Sequence, residues 1–188
     1  MAVVFGSSGS GKSTLLMMLG GMMKPSEGKV LYDGESIYDW SYAKQKKYRS
    51  LKVGFIFQKF FLLPYLSVKD NVLISTRVGD SIQEKKGSIN ELANRFGLEN
   101  RLDHKPGELS VGEQQRVALM RALIRNPDII LADEPTGNLD PENTDIVSKT
   151  LHDETNAGRI VIVVTHNQTL DKNAHVIYRI NKGVITKT

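Results

Sequence analysis

An α/β fold built around a mainly parallel sheet is the architecture this sequence predicts. Two observations carry that prediction. Short apolar runs, Ala2–Phe5, Val53–Phe57, Ile129–Ala132 and Ile160–Val164, alternate with helical stretches, and an unbroken apolar run of this length belongs to a strand covered on both faces. The second observation is the run Gly6-Ser7-Ser8-Gly9-Ser10-Gly11-Lys12-Ser13. It follows the first strand, opens a helix, and matches G-x-x-x-x-G-K-[ST] at each specified position.

The elements follow in order. Ala2–Phe5 is a short buried strand, and Ser13 to Leu19 is a helix. Pro25 and Gly28 break helicity before a strand over Lys29–Tyr32, closed by the turn pair Asp33-Gly34. Residues 41–50 are polar and helical. Val53–Phe57 is a second buried strand ending at Gln58. From Phe60 to about Lys105 helix and loop mix, and Ile89, Leu92 and Phe96 mark one face of a helix over Ser88–Phe96. Ser110 to Arg125 is helical, with Val117, Met120, Leu123 and Ile124 as its apolar stripe. After the turn at Asn126-Pro127-Asp128 comes the strand Ile129–Ala132. Asp140 and Pro141 open another helix as N-cap and first residue, and Gly158 stops it. Ile160–Val164 is a further strand. Val176–Ile180 and Val184–Ile185 form a hairpin around Asn181-Lys182-Gly183.

Composition narrows the function classes. A chain of 188 residues suits one domain, and it can bury about 70% of its unfolded surface without staples. Without cysteine there are no disulfides and no thiolate metal sites. Apolar runs of about five residues fall far short of the ~20 needed to span a bilayer. The net charge of +4 and the basic cluster Lys44–Lys47 read as a solvated surface; no RNA-binding motif surrounds them.

The candidate chemistry sits at strand ends. Glycines in the loop let backbone N–H groups turn toward phosphate oxygens, with Lys12 reaching the β- and γ-phosphates and the Ser13 hydroxyl reaching Mg²⁺. Gly6, Ser7, Ser8, Gly9, Ser10, Gly11, Lys12, Ser13 and Thr14 are therefore the candidate nucleotide-binding residues. Asp133 and Glu134 follow an apolar strand directly, where ligands of open parallel sheets bind. Asp133 would hold Mg²⁺, and Glu134 would be the general base for an attacking water. His166 follows Ile160–Val164 in the same way, placed to reach a γ-phosphate or the water. The Gln58 amide, at another strand tip, can ligate Mg²⁺ and orient a water. The bland readings of these acids and amides, solvated groups at strand–loop junctions, weaken once they share a crevice with a phosphate loop.

Leu109-Ser110-Val111-Gly112-Glu113-Gln114-Gln115-Arg116 has a simple reading as a helix start, since Ser110 and Glu113 have capping-box spacing. But this segment, the phosphate loop, Gln58, Asp133-Glu134, Asn138-Leu139-Asp140 and His166 occur in the order found in ATP-binding subunits of ABC transporters. The chain resembles that family from residue 2 to about residue 187. Residues 133–140 look most like the branch serving macrolide, lipoprotein and antimicrobial-peptide exporters. The resemblance implies a P-loop NTPase fold occupying residues 1–188, a helical subdomain inserted at about 60–108, and an antiparallel β subdomain that is incomplete here. It also implies ATP and Mg²⁺ as ligands, and a head-to-tail homodimer in which Ser110 and Gly112 contact the partner's γ-phosphate and Asp140 bridges to the partner's phosphate loop. An integral membrane permease is the other implied partner, docked against Phe60, Phe61, Leu62, Leu63, Pro64 and Tyr65, which places the subunit on the cytoplasmic face of the membrane.

Two departures from the family pattern bear on competence. The family's usual Leu-Ser-Gly-Gly-Gln has Val111 and Glu113 at its third and fifth positions here. A β-branched residue suits a first helical turn but not a positive φ, and Glu113 repels phosphate unless the capping box occupies it. Five residues precede Gly6, where family members carry two more strands and an aromatic that stacks on adenine. The expectation from this is exposed sheet edges and lower stability, weaker nucleotide affinity, or both. The alternatives are a truncated nucleotide-binding module without efficient turnover, and, with less support, a soluble ATPase acting on DNA or ribosomes.

Overall fold

The computed structural model describes residues 1–77, 89–137, 139–167 and 174–188. The described residues form eight strands: β1 Ala2–Phe5, β2 Leu31–Tyr32, β3 Glu35–Ser36, β4 Val53–Ile56, β5 Ile129–Asp133, β6 Ile160–Thr165, β7 Val176–Asn181 and β8 Val184–Lys187. Six of them form one sheet in the order β4-β5-β6-β1-β7-β8. All neighbours are parallel except β8, which returns antiparallel on β7. The mainly parallel sheet is as expected, and the strand leading into the phosphate loop lies inside it, between β6 and β7.

Period-two alternation divides each strand between two cores. Val4, Ile129, Leu131 and Val164 point to the face covered by α1 (Lys12–Leu19), where Leu16 is fully buried. Val3, Phe5, Ile130, Ala132, Val161 and Val163 point to the other face. There they meet α5 (Val111–Leu123), through Val117, Leu119 and Met120, and α6 (Pro141–Asn156), through Val147 and Leu151. This two-sided burial is why these strands are apolar throughout.

The remaining helices are α2 (Tyr42–Lys47), α3 (Val68–Leu73) and α4 (Ile89–Phe96). α3 and α4 contribute Val68, Val72, Ala93 and Phe96 to the core on the α5 face. Arg95 of α4 donates to the buried carboxylate of Glu154 in α6 at 2.5 Å, and Arg159 pairs with its other oxygen. These elements lie within the segment expected to form a helical insertion, with residues 78–88, Ser88 among them, outside the described residues.

Several expected boundaries shift. The strand at Lys29–Tyr32 shrinks to Leu31–Tyr32, paired with β3 in a separate two-stranded sheet. With Leu31 61% exposed, this hairpin has little apolar burial to extend it. The polar helix near 41–50 ends as α2 at Lys47 and continues as one wider turn over Tyr48–Lys52. Both hairpins close on two residues with positive φ, Asp33-Gly34 and Lys182-Gly183, the turn geometry that matches strand twist. β8 lies at the sheet edge with Val184 and Ile185 exposed, as expected for the C-terminal hairpin.

Gly54 shows how tightly α5 sits on β4. A Cβ there would fall 2.6 Å from the Ala122 carbonyl oxygen and 2.9 Å from the Pro127 ring. The first contact is with helix backbone, which cannot rotate away. Gly54→Ala is therefore expected to destabilise the fold by about 1–3 kcal/mol, measured as a lowered urea midpoint at unchanged m-value.

Candidate functional site

Because β1, β4, β5 and β6 run parallel, their carboxyl ends reach one edge of the sheet. A cleft of about 500 Å³ opens there, lined by Ser8, Gly9, Gly11, Lys12, Ser13, Thr14, Gln58, Asp133, Glu134 and His166. The structure thus brings together the phosphate loop, the amide after β4, the acids ending β5 and the histidine after β6. Gly6 and Ser7 face a neighbouring cavity of about 370 Å³ with Phe5, Arg179, Ile180 and Asn181, and His166 lies between the two. Ser10 is buried beneath the loop; its amide donates to the Ser7 carbonyl at 3.2 Å, and its Oγ is a buried atom without a protein partner.

The loop owes its shape to left-handed backbone at Gly9 (φ 76°) and Gly11 (φ 102°), which a side chain would resist. Gly11 is also the residue before α1, so the first N–H groups of that helix open into the cleft without a side-chain cap. Lys12 is buried, and its ammonium donates to the Gly6 carbonyl at 2.7 Å and the Ser7 carbonyl at 3.0 Å. A third partner is the Glu134 carboxylate at 3.6 Å.

Glu134 is the most constrained residue of the site. It has φ 46°, a left-handed conformation that costs a β-carbon-bearing residue of order 1–3 kcal/mol. Its amide donates to the Val164 carbonyl at 2.9 Å. Its carboxylate accepts from the Thr165 hydroxyl at 2.9 Å and the His166 amide at 3.2 Å, and lies 2.9 Å from His166 Nδ1. Burial pushes this carboxyl up, but the His166 and Thr165 hydrogen bonds outweigh it and hold it below the ordinary glutamate range. Asp133, next to it, moves the other way: burial raises its pKa, opposed by a hydrogen bond from Ser13 and reinforced by the charge of Glu134.

Ser110, Gly112 and Asp140 lie outside the cleft. Ser110 is the N-cap of α5 and forms a complete capping box: its Oγ accepts from the Glu113 amide at 3.2 Å, and its own amide donates to Glu113 Oε2 at 2.8 Å. Arg101 Nε donates to the other Glu113 oxygen at 3.0 Å. Glu113 is thus occupied, and Val111 has the helical φ it tolerates, so neither departure from the family pattern distorts the helix start. Asp140 caps α6, accepting from the Asn143 amide at 2.8 Å. Asn138 lies outside the described residues. Phe61, Leu63 and Tyr65, three of the residues expected to dock a permease, are exposed, and Arg121 donates to the Phe60 and Phe61 carbonyls beneath them.

Sequence reasoning missed Thr165, Gln115 and Asn143. Thr165 is fully buried and bonded to Glu134, and its place between an apolar strand and a candidate histidine was the available signal. Gln115 and Asn143 gave none, since partners distant in the chain, the Pro135 carbonyl and Arg116, define them.

Because Thr165 donates to the ionised form of Glu134, Thr165→Val is expected to raise the pKa of that carboxyl, read by NMR of the Glu134 side chain. The native pKa lies below the unfolded one, so the carboxylate contributes stability above its unfolded pKa. That stability is lost as pH falls through the lower native value. The variant is expected to lose part of this acid-side stability and to match the unmodified chain once pH is below both values.

Comparison with known proteins identifies the family. The sequence profile of the ABC transporter family matches residues 1–137. The lipoprotein-releasing system ATP-binding protein LolD of Idiomarina loihiensis is 40% identical over 189 residues, covering 100% of this chain and 83% of that protein. LolD of Francisella tularensis is 42% identical, covering 96% of this chain and 79% of its own. An uncharacterised ABC transporter ATP-binding protein of Thermotoga maritima is also 42% identical, over 97% and 79%. Among solved structures, the dimeric post-hydrolysis state of the cassette MJ0796 bound to ADP and phosphate superposes with a TM-score of 0.85 at 35% identity, covering 100% of this chain and 84% of that one. CbiO1 of Clostridium perfringens, part of the transporter complex CbiONQ, superposes with a TM-score of 0.83 at 27% identity, over 98% and 74%. With a profile match over most of its length and relatives at about 40% identity throughout, the chain belongs to the ABC transporter family of ATP-binding cassettes, the ATPase subunits of these systems.

Proposed function

We propose that this cassette hydrolyses Mg-ATP in a head-to-tail dimer and couples closure of that dimer to an exporter-type permease at the cytoplasmic face of the membrane. The observation that carries this reading is the convergence of Lys12, Ser13, Gln58, Asp133, Glu134 and His166 on one cleft. Among the described residues no helix is long and apolar enough to cross a membrane. The names of the LolD relatives support the exporter branch and a lipid-modified cargo.

The donors fit Mg²⁺. Among the described residues no cluster of three or more His, Asp or Glu could hold a metal. One carboxylate (Asp133), one hydroxyl (Ser13) and one amide oxygen (Gln58) line the cleft instead, an all-oxygen set that suits an ion completed by phosphates and water. When bound, Mg²⁺ neutralises charge on the β- and γ-phosphates. Lys12 exchanges its carbonyl partners for phosphate oxygens, and the N–H groups of Gly9 to Thr14 supply further donors. Glu134, held ionised, accepts a proton from the attacking water, and His166 steadies the γ-phosphate end of the cleft. From the partner copy, Ser110 and Gly112 at the start of α5 complete the phosphate shell, and Asp140 reaches across the interface.

Lys12→Ala is expected to reduce ATP turnover by at least about 10²-fold. Glu134→Gln is expected to lower it by about 10²–10⁴-fold and to accumulate an ATP-bound dimer in size-exclusion chromatography. An unmodified chain that neither binds millimolar ATP nor dimerises would instead be a nucleotide-binding module without turnover.

A further inference from the structure

Helix α5 is joined at two points to the segment that leaves β5. Gln115 is 1% exposed, and its Nε2 donates to the Pro135 carbonyl at 2.9 Å. One residue on, Arg116 Nη1 donates to Asn143 Oδ1 at 2.6 Å, while Asn143 Nδ2 donates to Asp140 Oδ2 at 2.8 Å. The second junction is tight: a Cβ on Gly112 would lie 2.2 Å from Asn143 Oδ1. Each junction lies next to, or within three residues of, a residue proposed to act on ATP from this segment. Glu134 is at its start, in the left-handed conformation, and Asp140 is at its end.

We infer that Gln115 is a positioning residue for Glu134, acting through the Pro135 peptide, and that α5 and the Glu134–Asn143 segment move as one body. The inference rests on Glu134 being the base proposed above. The proline ring restricts φ at residue 135, so the rotation that turns the Pro135 carbonyl is the soft dihedral next to Glu134. It also disfavours α-region backbone at the residue before it, and Glu134 is that residue. The left-handed backbone of Glu134 therefore needs an external hold. Gln115 supplies one from a helix, with a buried amide that an apolar residue could replace at lower desolvation cost. Ser110 and Gly112 lie at the start of the same helix. A phosphate contact there and the aim of Glu134 are then linked within one chain, and in the dimer those two positions face different nucleotides.

Gln115→Met keeps length and volume and removes the donor. The expected result is a fall in ATP turnover of about 10–100-fold with the ATP dissociation constant, measured by calorimetry, unchanged within about twofold. Introduced into Glu134→Gln, the same change should alter the residual single-turnover rate by less than about twofold, because the residue it positions no longer acts. An equal fall in both backgrounds, unchanged turnover, or a parallel loss of ATP affinity overturns the inference. If Gln115→Met does not fold, Gln115→Glu decides. Protonated, it donates to the Pro135 carbonyl; ionised, it cannot, so its turnover relative to the unmodified chain must fall as pH rises. Parallel pH profiles overturn the inference. An unmodified chain without turnover removes the reading of Glu134 as base, whereas a competent chain indifferent to Gln115 removes this inference alone.

Discussion

Parallel pairing of β1 with β6, and of β6 with β5 and β5 with β4, is the constraint from which the site follows. It brings four carboxyl ends to one edge, so groups separated by more than a hundred residues in sequence enter one cleft. Lys12 comes from the turn after β1, Gln58 from beyond β4, Glu134 from the end of β5 and His166 from the end of β6. An antiparallel neighbour would have sent its polar terminus to the opposite edge. The cost of this arrangement is burial of the central strands β1, β5 and β6 on both faces, which their valine and isoleucine runs meet.

The cleft holds charge in a partly buried space, and each charge has a counterpart. The Lys12 ammonium rests on two loop carbonyls and faces Glu134. Glu134 is enclosed by Thr165 and His166. Its pKa falls while that of Asp133 beside it rises, so neighbouring acids are driven apart by environment rather than by residue type. The protein partners of Lys12, two carbonyls and a carboxylate, are oxygen acceptors of the kind that phosphate oxygens can replace.

Much of this was legible in the sequence. The phosphate loop, the strand-end acids, the Asp140 N-cap and the Ser110–Glu113 capping box all depend on spacing within about ten residues, and local spacing survives in a linear text. Less legible were the extents of marginal elements. Leu31–Tyr32 is a strand of two residues rather than four, because a hairpin exposing Leu31 gains little from lengthening. The polar helix after Ser41 widens at Tyr48, whose buried ring packs between Tyr32 and Trp40, a contact no periodicity reports.

The sequence by itself determined the class of fold and the family and marked the candidate phosphate residues, because each is written in short runs whose chemistry is intrinsic. Only the tertiary structure decided which groups hold those residues in place. Thr165 on Glu134, Gln115 on the Pro135 carbonyl, Asn143 between Arg116 and Asp140, and Glu154 between Arg95 and Arg159 are long-range or buried pairings. A polar side chain acquires such a role from the partner that burial gives it, and that partner is set by how the helices close over the sheet.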